Sequence, residues 1–162
     1  MSRIAFPAPD AAILARRAEI VAGLARLVDA DSLVTDEDER RAFETDALTS
    51  YRQLPLAVVL PRSTAEVSAV LAFLHALKVP VVARGAGTSL AGGAIPQPDA
   101  VLVSVARLTR VLAVDYAART MRVEAGITNL AVTGAVNVDG FFYAPDPSSQ
   151  LACTIAGNIA MN

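Results

Sequence analysis

Apolar residues fall into short, bounded runs along this chain, and the period of each run predicts its element. From Pro9-Asp10 to about Val28, the residues Ile13, Leu14, Ile20, Val21, Leu24, Leu27 and Val28 share one broad stripe, with Arg16, Glu19 and Arg26 off it. That spacing predicts one amphipathic helix. Thr35 to Arg41 is dominated by charge and reads as a turn or short helix, and Phe43 to Arg52 as irregular. Leu56-Ala-Val-Val-Leu60 is a continuous apolar run closed by Pro61, the pattern of a buried strand. Ser63-Thr-Ala-Glu66 has capping-box spacing, in which the Ser63 hydroxyl accepts from the Glu66 amide and the Glu66 side chain reaches back to Ser63. Val67, Val70, Leu71, Leu74 and Leu77 then mark a helix face, and Val79 to Ala83 a second buried strand. Such a β-α-β unit predicts parallel strands joined by a right-handed crossover.

Farther on, Val101–Val105, Val111–Asp115 and Thr120–Glu124 read as short strands separated by turns. A helix is expected from Thr128 or Asn129 to about Val138, although Gly134 inside it costs ~1 kcal/mol relative to alanine. Pro145 and Pro147 hold Ala144 and Asp146 extended, so the stretch from Phe142 reads as a stiff loop.

Composition narrows the class. A chain of 162 residues can bury one core, and length alone favours a single domain. The 54% hydrophobic content and mean hydropathy of +0.45 are high for a free-standing domain. No window approaches the ~18–20 uninterrupted apolar residues of a membrane span, so the chain is not read as transmembrane. The excess instead fits either apolar surface that faces further protein, the preferred reading, or an ordinary Ala-rich globular domain. A net charge of −2 and a pI of about 5.3 argue against a nucleic-acid partner, which would call for a basic face. Asp10, Arg16, Arg17 and Glu19 interrupt any secretory h-region. The single cysteine, Cys153, excludes an internal disulfide framework and a cysteine zinc cage, and with no basic neighbour in sequence it reads as a packing residue. His75, the only histidine, follows core residue Leu74 in a helix and carries no catalytic or metal assignment. These features fit the cytoplasm.

Two segments are crowded with small residues and backbone donors. The first is Arg84-Gly-Ala-Gly-Thr-Ser-Leu-Ala-Gly-Gly93, beginning where a strand ends, which is where ligands sit in open α/β sheets. A dinucleotide fingerprint needs a third glycine at Leu90, a following helix and an acidic residue ~20 positions on, and the chain supplies none of these. The phosphate loop of nucleotide hydrolases needs Lys and Ser or Thr where Gly93-Ala94 stands. Two readings survive: an anion-binding nest of consecutive N–H groups around Gly85 to Leu90, or a plain glycine-rich turn.

The second segment is Phe142-Tyr-Ala-Pro-Asp-Pro-Ser-Ser-Gln-Leu-Ala-Cys-Thr-Ile-Ala-Gly-Asn158. Together, in order and spacing, the two resemble the FAD-linked oxidase family, above all the flavin subunit of glycolate oxidase and the FAD-dependent D-lactate dehydrogenases, over roughly Leu33 to Asn162. The resemblance implies an α+β fold of the vanillyl-alcohol oxidase and peptidoglycan-precursor reductase type, present incompletely. A small β-α-β subdomain would be followed by the start of a second subdomain with an antiparallel sheet. Residues 1–50 would form a helical segment and lead-in, and residues 51–162 the FAD-binding domain, with the rest of that domain and a substrate cap lying beyond Asn162.

By position, Arg84, Gly85, Ala86, Gly87, Thr88, Ser89 and Leu90 would cradle the pyrophosphate, mostly through backbone amides. Pro145, Asp146 and Ser148 would line the cofactor's path, and Thr154, Gly157 and Asn158 would approach its ribityl or pyrophosphate portion. Relatives with covalent FAD often carry a histidine where this chain has Thr88, which implies non-covalent FAD. Ala156 departs from the family's Gly-Gly-Asn and adds a methyl group where the backbone would approach the flavin. The implied activity of the complete protein is oxidation of a 2-hydroxy acid to a 2-oxo acid by hydride transfer to FAD, with partner subunits or an electron acceptor. Its location would be cytoplasmic or peripheral to the inner membrane. A non-catalytic truncated product and one half of a split flavoprotein stay open as alternatives, and no catalytic residue is assigned.

Overall fold

The computed structural model describes residues 6–161; residues 1–5 of the N-terminal segment and Asn162 lie outside the described residues. Asp10 starts the first helix by accepting from the amides of Ala12 and Ile13. The single helix expected to run to Val28 is two: α1 (Ala11–Ala15) and α2 (Arg17–Leu24), broken at Arg16 with φ −94° and ψ 10°. Tertiary contacts override the stripe. The break sends the Arg17 guanidinium to the carbonyls of Leu56 (3.1 Å) and Thr35 (2.7 Å), while Ile13, Ile20, Leu24 and Val28 all still reach one core. After Leu24 the chain tightens into bonds from Arg26 N to Gly23 O and from Leu27 N to Leu24 O.

A two-residue strand β1 (Leu33–Val34) and a helical turn α3 (Glu37–Arg40), capped by Asp36, lead to β2 (Ala57–Val59), α4 (Thr64–Ala76), β3 (Val81–Arg84) and β4 (Val101–Ser104). The sheet order is β1-β2-β4-β3. β2 and β3 are both parallel to β4, which lies between them, and β1 is antiparallel to β2. The parallel β-α-β unit is present, but β3 is an alternately exposed edge strand rather than the buried strand expected. Half of the capping box forms: Ser63 Oγ accepts from Glu66 N at 3.1 Å, and the Glu66 carboxylate takes the Arg62 amide instead of that of Ser63.

Every residue of β2 and β4 is buried, as parallel strands covered on both faces should be. Ala57, Val59, Val101 and Val103 pack with Ile20, Leu24, Val70 and Leu74 from the helices, so α1, α2, α4 and the sheet share one core. Val58 and Leu102, pointing to the opposite face by strand alternation, are fully buried too.

The second region is built differently. β5 (Val111–Asp115) and β6 (Thr120–Val123) form an antiparallel hairpin, with a register shift between Val111 and Ala113. α5 (Asn129–Gly134) ends four residues before the Val138 expected, and a short 3-10 turn (Asn137–Asp139) closes on Gly140 at φ +79°. A further departure from the loop reading is α6 (Ile155–Met161), started by Thr154, whose carbonyl accepts from Asn158 N at 2.9 Å. Gly126 joins the two regions: its amide donates to Leu108 O at 2.7 Å, and a Cβ there would stand 1.9 Å from Val105 O. Among the described residues, no helix is long and apolar enough to cross a membrane.

Candidate functional site

The glycine loop leaves the carboxyl end of edge strand β3 and folds against the lead-in before β2. Ala47 N donates to both Gly87 O (3.0 Å) and Ser89 O (3.1 Å). The buried Asp46 carboxylate accepts from Leu48 N at 2.8 Å and from Gly92 N at 3.1 Å. Arg84 turns inward: its guanidinium donates to Thr45 O at 2.6 Å and to Phe43 O at 3.4 Å, and lies 5.8 Å from the centre of the Phe43 ring. Burial lowers the Arg84 pKa from its ordinary value, with Asp46 opposing that shift. Glycine at position 87 is favoured by its backbone angle, and a side chain there would have to displace the hydrogen-bonded Arg84 guanidinium. Gly87 holds φ +73°, and a Cβ there would sit 2.3 Å from Arg84 Nη2.

The other side of the loop is open. Among the described residues, no group accepts a hydrogen bond from the amides of Gly85, Ala86, Gly87, Thr88, Ser89 or Leu90; the next amides, of Ala91 and Gly92, are taken by Ser89 Oγ and Asp46. Consecutive donors without a protein acceptor are what an anion nest presents.

The second segment meets the first at two points. Gly85 faces Thr154 so closely that a Cβ would stand 2.1 Å from Thr154 Oγ1, and Ser89 Oγ lies 3.7 Å from Met161 Sδ. Thr154 also bridges Thr128 in an isolated antiparallel pair. The first amides of α6 are all committed: Ile155 to Ile127 O, Ala156 to Ala125 O, Gly157 to Thr154 Oγ1 and Asn158 to Thr154 O. The free donors therefore belong to the glycine loop rather than to the helix end. The exception is Asn158 Nδ2, which is buried with no hydrogen-bond partner among the described residues.

Pro145, Asp146 and Ser148 are exposed. Pro145 O accepts from the buried Asn129 side chain at 3.1 Å, and none of the three hydrogen-bonds to the glycine loop. Cys153 is a buried free thiol, and His75 lies exposed on α4. Among the described residues, no cluster of His, Cys, Asp and Glu could hold a metal ion. Asp46, Ala47 and Asn129 carry geometry that the sequence reading missed. A buried aspartate in an irregular stretch has no period to expose it, and Ala47 acts through its backbone alone. Available donors, close backbone approach at Gly85 and the orphaned amide of Asn158 suit the phosphate and sugar oxygens of FAD.

The comparisons agree in direction. The family model described as FAD binding domain matches residues 55–162. The glycolate oxidase subunit GlcD of Escherichia coli (strain K12) is 44% identical over 146 residues, covering 90% of this chain and 29% of that protein. The D-2-hydroxyglutarate dehydrogenase of Xanthomonas citri pv. viticola is 34% identical over 142 residues, 88% of this chain and 30% of the relative. Among solved structures, an alkyldihydroxyacetonephosphate synthase superposes with a TM-score of 0.80 at 23% identity, over 98% of this chain and 30% of that one. The chain thus spans about 30% of the length of these relatives.

Proposed function

Since this chain belongs to the FAD binding domain family, we propose that it is the pyrophosphate-holding part of a flavoprotein that oxidises a 2-hydroxy acid of the glycolate, D-lactate or D-2-hydroxyglutarate type. The observation that carries this reading is the run of unpartnered amides from Gly85 to Leu90, with Gly85 against Thr154 and Ser89 against Met161 of α6. Those amides would hold the pyrophosphate, with the Thr88 and Ser89 hydroxyls at its flanks. Asn158 Nδ2, orphaned in the protein, would donate to the ribityl or phosphate portion, beside Thr154 and Gly157. Pro145, Asp146 and Ser148 would line the exposed path along the second segment. Thr88 offers no ring nitrogen for a flavin bond, so the cofactor is held non-covalently. When bound, FAD supplies the two-electron acceptor for oxidation of an alcohol carbon, chemistry that no side chain offers.

What these residues do is bind and orient. The carboxylate nearest the loop, Asp46, is buried and committed to two backbone amides, so it is no proton acceptor for a substrate. This region contributes cofactor placement, and base and substrate contacts come from other parts of the complete protein, which works in the cytoplasm with a separate electron acceptor.

The test is a titration of the purified chain with FAD, followed by flavin fluorescence, beside riboflavin, which lacks phosphate. Saturable binding of FAD and not of riboflavin is expected, without turnover of glycolate, D-lactate or D-2-hydroxyglutarate. Gly87→Val should abolish most of that binding, since valine can neither take φ +73° cheaply nor avoid the Arg84 guanidinium. Equal binding of FAD and riboflavin, or none of either, would sink the reading.

A further inference from the structure

The glycine loop does not shape itself. In a trans peptide the C=O and the following N–H point in opposite directions. Ala47 N draws the carbonyls of Gly87 and Ser89 to one side, so the amides paired with them, those of Thr88 and Leu90, are aimed to the other. One backbone donor thereby orients two members of the unpartnered run. That donor is itself fixed by two side chains. Arg84 ties down the carbonyls of Phe43 and Thr45, just before it in the chain, and Asp46 spans from Leu48 N to Gly92 N, at the far end of the loop.

Building on the functional reading above, we propose that Arg84 and Asp46 are positioning residues for the cofactor's pyrophosphate. They hold residues 43–48 as a backing plate, and through Ala47 N that plate turns the Thr88 and Leu90 amides toward the phosphate oxygens. Arg84, the only cation among the predicted site residues, acts from behind the loop, where its Nη1 donates to both carbonyls, and makes no ion pair with phosphate. The absence of a side chain at Gly87 is part of the same device, since the guanidinium fills the space its Cβ would need.

The two roles open to Arg84 differ in what they require. A direct phosphate partner needs positive charge, which lysine keeps, and weakens with salt. A clamp on two carbonyls needs a donor at the reach of Nη1, one bond farther than the lysine ammonium extends, and is indifferent to salt. The experiment compares the unmodified chain with Asp46→Asn, Arg84→Met and Arg84→Lys. It measures FAD affinity at low and high salt and, in the ligand-free chain, amide hydrogen exchange at Ala47. Exchange at Val58 and Leu102 in the central strands reports whether each variant keeps its fold.

All three variants are expected to bind FAD about tenfold more weakly, equally at both salt levels, with Ala47 protection lost and the central strands still protected. Should Arg84→Met lose the central strands as well, the Asp46→Asn and Arg84→Lys arms decide. Affinity within about twofold of the unmodified chain despite lost protection at Ala47 would overturn the inference, and so would salt-sensitive rescue by Arg84→Lys. No FAD binding by the unmodified chain is a distinct result, which removes the functional reading and this inference with it.

Discussion

The α/β region and the hairpin region answer the same problem, the burial of short apolar strands, in opposite ways. In the first, β2 and β4 are buried along their whole length and one core runs from Ile13 to Val103. In the second, β5 is exposed at nearly every position, and Val138, Phe142, Leu151 and Ile159 are each more than 70% exposed. The cause is topological. Parallel strands need crossover connections, and the crossover α4, together with α2, supplies the cover. A hairpin closes locally on its own turn and brings no cover with it, and a lone two-stranded ribbon is marginal in water. The glycine loop belongs to the covered region and the second segment to the exposed one, so the candidate site lies on the seam between the two.

The largest expected effect tests that contrast head on. Leu102→Ala should cost about 2–5 kcal/mol, as fully buried leucines do, and Ile159→Ala within about 0.5 kcal/mol, as exposed positions do; urea unfolding of the two variants measures both. Comparable costs would mean that the hairpin region is covered in solution, for instance by a second copy of the chain. Next comes the joint. Gly126→Ala forces a methyl group against Val105 O and should cost about 1–3 kcal/mol. Gly134→Ala, with open space around its Cβ at the end of α5, should instead stabilise by about 0.5–1 kcal/mol. Thermal melts that failed to move in opposite directions would show that the seam adapts.

The smallest effect is in the pH dependence of the hairpin. Arg110 donates to the Glu124 carboxylate at 2.7 Å, tying the lead into β5 to the end of β6. That side-chain hydrogen bond, and a second from the Arg110 amide, lower the Glu124 pKa from its ordinary value. A depressed folded-state pKa contributes stability that is present above the ordinary glutamate range and is lost as pH falls through the lowered value. Acid titration of hairpin stability should show this loss, and Arg110→Ala should remove most of it. An unchanged acid profile in Arg110→Ala would assign the dependence elsewhere.

Local pattern sufficed for much of this molecule. The run Leu56–Leu60, the Val67–Leu77 face, the strands at Val101, Val111 and Thr120, and the small-residue segments at Arg84 and Phe142 are each written in consecutive residues. Period, capping and glycine act over a few positions, and such signals survive in the order of the residues alone. The tertiary structure decided what depends on residues distant in the chain. It broke the first helix at Arg16 because Arg17 has carbonyls to reach at Thr35 and Leu56. It inserted β4 between β2 and β3, which made β3 an edge, and it wound Ile155–Met161 into a helix once Thr154 was pinned against Gly85 and Thr128. It also turned Arg84 away from the loop's open face and set Asp46 and Ala47 behind it. Residue order can say that a glycine loop is fit to hold an anion; which way its amides point is set by hydrogen bonds to a segment some forty residues earlier, and only the folded chain brings those partners together.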